Sequence, residues 1–274
     1  MTDEAHRPVV GAAADPWEFL RGFTDARIAL GRAGGSVPTS ALLDFQLAHA
    51  QARDAVQRDL DTDALCNRMQ AKGWSALRLR SAAPDRRAFV QRPDLGRILD
   101  ESSKSALKTH RTAGTRCDAV FVLADGLSAT ALERHALLLL EQVLPRLTER
   151  AWRIAPLCVV QQGRVAIADE IGALVEADIS VILIGERPGL SSPDSLGIYL
   201  TWDPLPGRSN AQRNCISNVR PQGLDYALAA HKLVHLMSAA KTLRLSGVEL
   251  KEDAPALPGP SDKALCSPGG ASGV

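Results

Sequence analysis

Ser180-Val181-Ile182-Leu183-Ile184-Gly185-Glu186-Arg187-Pro188-Gly189-Leu190-Ser191-Ser192 is a short apolar run, rich in β-branched residues, that stops abruptly at Gly-Glu-Arg-Pro-Gly. The run reads as a buried strand, and the Pro-Gly pair as a rigid turn at its end. Such a strand delivers a carboxylate and a guanidinium to its carboxyl end, which in α/β sheets is where ligands bind. Further along, Arg213-Asn214-Cys215-Ile216-Ser217-Asn218-Val219-Arg220-Pro221-Gln222-Gly223 repeats the pattern as a second polar turn. Two polar turns in one sheet predict a shared site.

Outward from this stretch, a grammar of strand, turn and helix holds from Cys117 onward. Residues 119–124 form a buried-strand run, and Leu132, Ala136, Leu139, Leu140 and Val143 then follow helical spacing as far as Pro145, which lacks the N–H of a continuing helix. Residues 154–161 read as a strand, 165–175 as a short helix, 179–184 and 197–202 as strands, and 226–245 as a closing helix. Near-continuous apolar strands alternating with helices imply an α/β fold, a largely parallel open sheet with helices on both faces in the Rossmann-like manner. An N-terminal helical segment precedes it. There Pro38-Thr39 is a start signal, Leu43, Leu47, Ala50 and Ala55 fall near one face of a long Ala-rich helix, and a second helix over 63–72 pairs with it. The predicted division is a disordered tail at 1–16, the helical segment at 17–115, an α/β domain at 116–251 and a Pro-, Gly- and Ser-rich disordered tail at 252–274.

Composition narrows the function classes. The chain has 274 residues, enough for a sizeable core, and its 32 basic against 31 acidic residues give no global field that favours nucleic acid or an anionic membrane. No apolar stretch approaches a membrane span, and Met1-Thr2-Asp3-Glu4-Ala5-His6 lacks the regions of a signal peptide, so a cytoplasmic protein is expected. Five widely spaced cysteines with no Cys-x-x-Cys argue against a disulfide framework and against a structural zinc site.

Several constellations bear on chemistry. In Ala124-Asp125-Gly126-Leu127-Ser128-Ala129-Thr130, between a strand and a helix, Ser128 stands where a hydrolase would place its nucleophile, but Thr130 replaces the second glycine of the elbow. Ser128 therefore reads as a helix N-cap worth about 1 kcal/mol. Asp125, at a strand end, is open to a ligand role or a structural turn role. His231 and His235 share a helix face at metal-binding spacing, yet no zincin Glu or third ligand accompanies them, which favours an exposed or partner-facing pair. Gly31-Arg32-Ala33-Gly34-Gly35-Ser36 is phosphate-friendly but is no P-loop, and a turn or subunit contact suits it better. Cys215 taken alone reads as a small buried hydrophobe. Glu186, held at a strand end by Pro188-Gly189, is the leading ligand-facing group, with Arg187 as its alternative, internal ion-pair partner.

Together these segments resemble the small (light) subunit of ethanolamine ammonia-lyase, the adenosylcobalamin-dependent enzyme that converts ethanolamine to acetaldehyde and ammonia. The resemblance rests on Asp25-Ala26-Arg27-Ile28-Ala29-Leu30-Gly31-Arg32-Ala33-Gly34-Gly35-Ser36, on the 124–130 turn, on Gly185-Glu186-Arg187-Pro188-Gly189-Leu190-Ser191-Ser192 and on Cys215-Ile216-Ser217-Asn218, which stand in the family's order. It implies a partner, a large (β/α)-barrel subunit that carries the substrate site, in a higher-order oligomer of heterodimers. This chain would close over the cobalamin from its nucleotide side and would not be catalytic alone. The family's cofactor contacts carry over to Val165 in Gly163-Arg164-Val165-Ala166, to Glu186 and to Cys215. A bacterial microcompartment within the cytoplasm enters as a destination by the same analogy.

None of the six histidines, His6, His49, His110, His135, His231 and His235, lies in the Asp-x-His-x-x-Gly motif that places an imidazole on cobalt. Cobalt is therefore not expected to be ligated by this chain, and the resemblance implies a base-on cofactor. Two other readings stand beside this one: a self-sufficient α/β hydrolase with Ser128 as nucleophile, and a nucleotide-binding or scaffolding module without cobalamin.

Overall fold

The computed structural model describes residues 15–110 and 116–254. The two tails read from the sequence lie outside the described residues except at 15–16 and 252–254. In chain order the elements are α1 (Thr39–Gln57), α2 (Thr62–Ala71), β1 (Ala76–Arg80), α3 (Arg86–Gln91), α4 (Glu101–His110), β2 (Cys117–Ala124), α5 (Ala129–Thr148), β3 (Leu157–Gln161), α6 (Ile167–Leu174), β4 (Ala177–Gly185), β5 (Leu196–Trp202), β6 (Arg213–Val219) and α7 (Tyr226–Leu243). Six strands form one sheet in the order β1-β3-β2-β4-β5-β6. The β1-β3, β3-β2 and β2-β4 pairs are parallel, and β5 runs antiparallel to both β4 and β6. This is the α/β, largely parallel sheet that the apolar runs predict. No helix among the described residues is long and apolar enough to cross a membrane.

The alternation of side chains along the central strands divides the core in two. Phe121, Leu123, Val181 and Leu183 face a layer made by α2, α5 and α7, where Leu132, Leu139, Leu140, Leu233 and Met237 are fully buried or nearly so. Val120, Val122, Ile182 and Ile184 face the other way, onto Leu107 of α4 and Ile167 and Ile171 of α6. Beyond β4 this second face loses its helical cover. The exposed side chains there belong to β6, where Cys215 and Ser217 reach solvent, while Tyr199 of β5 is half-buried.

Four local expectations are corrected. Helix α5 carries Pro145 inside its last turn and runs on to Thr148, because the buried face through Val143 and Leu147 outweighs one missing backbone bond. Helix α7 stops at Leu243, where Arg244 takes a left-handed cap at φ 56°. Helix α1 buries Ala48 and Ala55, whereas Leu43 and Leu47, read as part of its inward face, are 58% and 60% exposed. The segment at 213–219 is a strand rather than a turn, and its polar face is that of an edge strand open to solvent. The structure also contains a strand that the apolar pattern does not reveal, Ala76–Arg80, at the opposite edge of the sheet.

Candidate functional site

Glu186 follows the last residue of β4 and continues the ladder with one bond, its N–H donating to the Ser195 carbonyl at 2.9 Å. Its Oε2 accepts from the Ser195 hydroxyl and from the backbone N–H of Asn218 at 3.2 Å. The carboxylate lies over Gly197 of β5, where an added Cβ would come within 2.9 Å of Oε1, so only a residue without a side chain permits this position. Oε1 itself takes no hydrogen bond among the described residues. Arg187 is exposed and forms no ion pair among them, which removes the reading of Arg187 as the internal partner of Glu186. The carboxylate is thus anchored by one oxygen and presents the other.

The two polar segments meet, as the sequence pattern predicts. Asn218, at φ 59° in the left-handed region that Asn tolerates, bonds Glu186 through its N–H, while its carbonyl accepts from Leu224 N at 2.8 Å. Its side-chain oxygen accepts from Arg220 Nε at 3.0 Å, and Arg220 reaches back to the Ser191 carbonyl at 3.3 Å. Arg220, buried and without any carboxylate partner among the described residues, therefore laces the end of β6 to the loop after Glu186. Asn218, Ser195 and Arg220 were not identified from sequence, because their roles depend on strand pairing that no local pattern displays.

Cys215 is exposed on β6 and stands opposite Tyr199 in the β5-β6 register, contrary to its reading as a buried hydrophobe. Desolvation, against the opposing hydrogen bond with Tyr199 and with the help of the Glu186 carboxylate, holds its thiol above the ordinary value, so it remains protonated at neutral pH. Burial first, and then Cys215 and Glu186, likewise raise Tyr199. Glu186, Tyr199 and Cys215 therefore share one electrostatic neighbourhood on the uncovered side of the β5-β6 ribbon.

Val165 reaches the same side from the turn between β3 and α6, half-buried against the Ile167 cluster. That turn is fixed by Asp125. Its Oδ1 accepts from Gly163 N at 3.1 Å, and its Oδ2 pairs with Arg86 Nη1 at 3.0 Å. Asp125 has no solvent exposure and Arg86 is 7% exposed. Burial raises Asp125 to about 6 against the attraction of Arg86 and the surrounding N–H groups, and burial lowers Arg86 as well. Of the two roles left open for Asp125, the structural one is what this geometry describes: it holds the turn that carries Val165.

The remaining constellations resolve locally. Ser128 is fully buried and caps α5, its Oγ accepting from Ala131 N at 3.2 Å and donating to the Pro193 carbonyl at 2.9 Å, a position closed to an ester substrate. Residues 31–36 form a small turn in which Ala33 and Ser36 exchange backbone bonds of 2.9 and 3.1 Å. His235 of α7 lies 3.3 Å from Asp253, and Lys232 pairs with Glu252, so the chain just beyond 251 is tied to that helix.

Against known proteins, residues 14–251 match the family model described as ethanolamine ammonia-lyase light chain. The chain is 57% identical over 244 residues to the ethanolamine ammonia-lyase small subunit of Azotobacter vinelandii, covering 89% of this chain and 90% of that one. It is 54% identical to the protein of the same name from Pseudomonas aeruginosa (strain LESB58), with 89% of each chain covered. The likeness to that of Ralstonia nicotianae is 53% over 255 residues, 93% of this chain and 94% of the relative.

Proposed function

This chain belongs to the ethanolamine ammonia-lyase small-subunit family, and from that premise we propose that it binds adenosylcobalamin jointly with a large barrel subunit, in an oligomer of such pairs. It is a lyase subunit, and the lyase reaction converts ethanolamine to acetaldehyde and ammonia. The observation that carries the cofactor reading is the arrangement at the uncovered edge of the sheet. The free oxygen of Glu186, the exposed Cys215 and the turn at Val165 face one side there, beside a glycine that leaves the surface open. These groups suit a corrinoid. Its rim of amide side chains supplies N–H donors for a carboxylate, and its apolar ring surface packs against Val165, Tyr199 and Cys215.

Bound adenosylcobalamin supplies the radical chemistry, and the residues here contribute binding, orientation and exclusion of water. The partner reading has its own support in the apolar side chains left in solvent at the N-terminal end, including Trp17, Phe19, Phe23, Leu43 and Leu47. Large apolar side chains left exposed in this way suit an interface.

Glu186→Gln in the reconstituted complex is the direct test. The substitution keeps the shape and one acceptor oxygen but loses the charge, and a charge-assisted bond is worth about 1.5–3 kcal/mol. The apparent cofactor constant should rise about tenfold or more, with a smaller fall in the maximal rate, since a contact remote from the substrate holds ground and transition states alike. An unchanged constant with intact subunit association would mean that Glu186 serves only its bonds to Ser195 and Asn218.

A further inference from the structure

Beside Val165 opens a cleft of about 400 Å3 whose lining includes Arg97, Arg164, Arg208 and Arg213 and no carboxylate. Two of these cations are compensated from outside the cleft. Asp169 grips Arg213 with two bonds of 2.6 and 2.7 Å, and Asp203 pairs with Arg208 at 2.6 Å. The other two are not. Arg164 bonds only a carbonyl, that of Phe89 at 3.2 Å, and stacks on the Phe89 ring with its guanidinium carbon 4.2 Å from the centroid. Burial first, and then the like charges of Arg86 and Arg97, lower its pKa. Arg97 is exposed, and its side chain makes no ion pair or hydrogen bond among the described residues.

Donors are left over as well as charge. The Nε atoms of Arg164 and Arg213 are buried without an acceptor, and the Arg213 side chain is only 3% exposed. Helix α6 begins here just after Ala166, which offers no side-chain cap, and the N–H groups of Val165 and Ala166 donate to no atom among the described residues. Buried donors and cations without acceptors are costly in a fold that has no use for them. Together they describe a receptor for a compact anion with several oxygens, for which planar guanidinium groups and helix-start N–H groups are the matching chemistry.

We propose that this cleft binds a phosphate group. Resting on the cofactor reading above, the structure assigns it to the phosphodiester in the nucleotide tail of cobalamin. The placement supports that source over free phosphate. Arg213 and Cys215 are two residues apart on β6 and so point to the same side of the sheet. Val165 lines the cleft and also borders the proposed corrin surface. One ligand that spans both needs an anionic group at one end.

The test is equilibrium binding of cobalamin and of cobinamide, the same corrin without its nucleotide tail, to the complex with the large subunit. Arg97→Glu changes a side chain with no ion-pair or hydrogen-bond partner among the described residues. It should weaken cobalamin at least tenfold, with Arg97→Lys staying within about threefold of the parent and cobinamide affinity unchanged in both. Arg164→Gln should repeat the selective loss, with folding checked by its melting temperature. Wild-type complex that binds both corrinoids while Arg97→Glu alters neither, or both equally, would overturn the assignment and leave the cofactor reading standing. If Arg97→Glu abolishes binding of inorganic phosphate, followed by 31P line broadening, yet leaves cobalamin untouched, the tail is not the ligand. A wild-type complex that binds neither corrinoid would sink the cofactor reading and this assignment with it.

Discussion

Asp125 shows how one buried side chain can position another part of the site at some cost to stability. Its carboxylate, pushed to about 6 chiefly by burial, is harder to ionise in the folded chain than in the unfolded one, near 3.9. The folded state therefore holds more protons between these values, and the contribution from Asp125 is present below pH ~4 and lost as pH rises through about 6. Over that window the loss amounts to about 3 kcal/mol at most. Asp125→Asn keeps an acceptor for Gly163 N–H but cannot titrate. Urea unfolding of both chains from pH 4 to 7 should show wild-type stability falling relative to the variant, and parallel curves would rule out a raised Asp125. Gly197 offers a second check at this scale. A side chain there would collide with the Glu186 carboxylate, so Gly197→Val should displace it and weaken corrinoid binding as Glu186→Gln does, while the core on the opposite face keeps its packing.

Among the elements, legibility followed burial on both faces. Strands β2 and β4 are enclosed by helices and show continuous apolar runs, so sequence alone located them. At the sheet edges the signal fades. Ala-Leu-Arg-Leu-Arg of β1 and the polar residues of β6 are half-exposed strands whose identity comes from pairing with β3 and β5. The candidate site was legible at Glu186, where a strand stops at a turn. Tyr199, Asn218 and the four-arginine cleft were not, since separate elements assemble them. Helix α1 makes a related point. Its apolar positions were readable, but periodicity reports that a face wants cover without saying which chain provides it. The helix lies its alanine side on its own chain and leaves Leu43 and Leu47 outward, roughly 80–140° around the axis from Ala48 and Ala55. Leu43→Asp combined with Leu47→Asp should change the stability of the isolated chain by no more than about 1 kcal/mol, while association with the large subunit, followed by sedimentation, weakens at least tenfold. A large drop in the urea midpoint of the isolated chain would show that these leucines serve its own core.

At the scale of the whole molecule, the strand order leaves the sheet closed on one face and half-open on the other. Helices α5 and α7 seal one face across to β5 and β6, whereas α4 and α6 stop short, and the proposed cofactor surface lies in the remainder. A high-affinity site usually buries 70–90% of a ligand, but an open ribbon of two strands touches a flat ring from one side only. The isolated chain should accordingly bind corrinoid at least about a hundredfold more weakly than the assembled enzyme, a difference of about 2.7 kcal/mol. It should also show no turnover of ethanolamine, because orientation of a cofactor raises a rate only when the substrate is held against it. Mixing with the large subunit should restore both properties together. Equilibrium dialysis of the separate and mixed chains, with acetaldehyde release measured in parallel, follows each quantity. Ethanolamine turnover by this chain alone would overturn the division of labour. Equal corrinoid affinity with and without the partner would show that the open face is already a complete site.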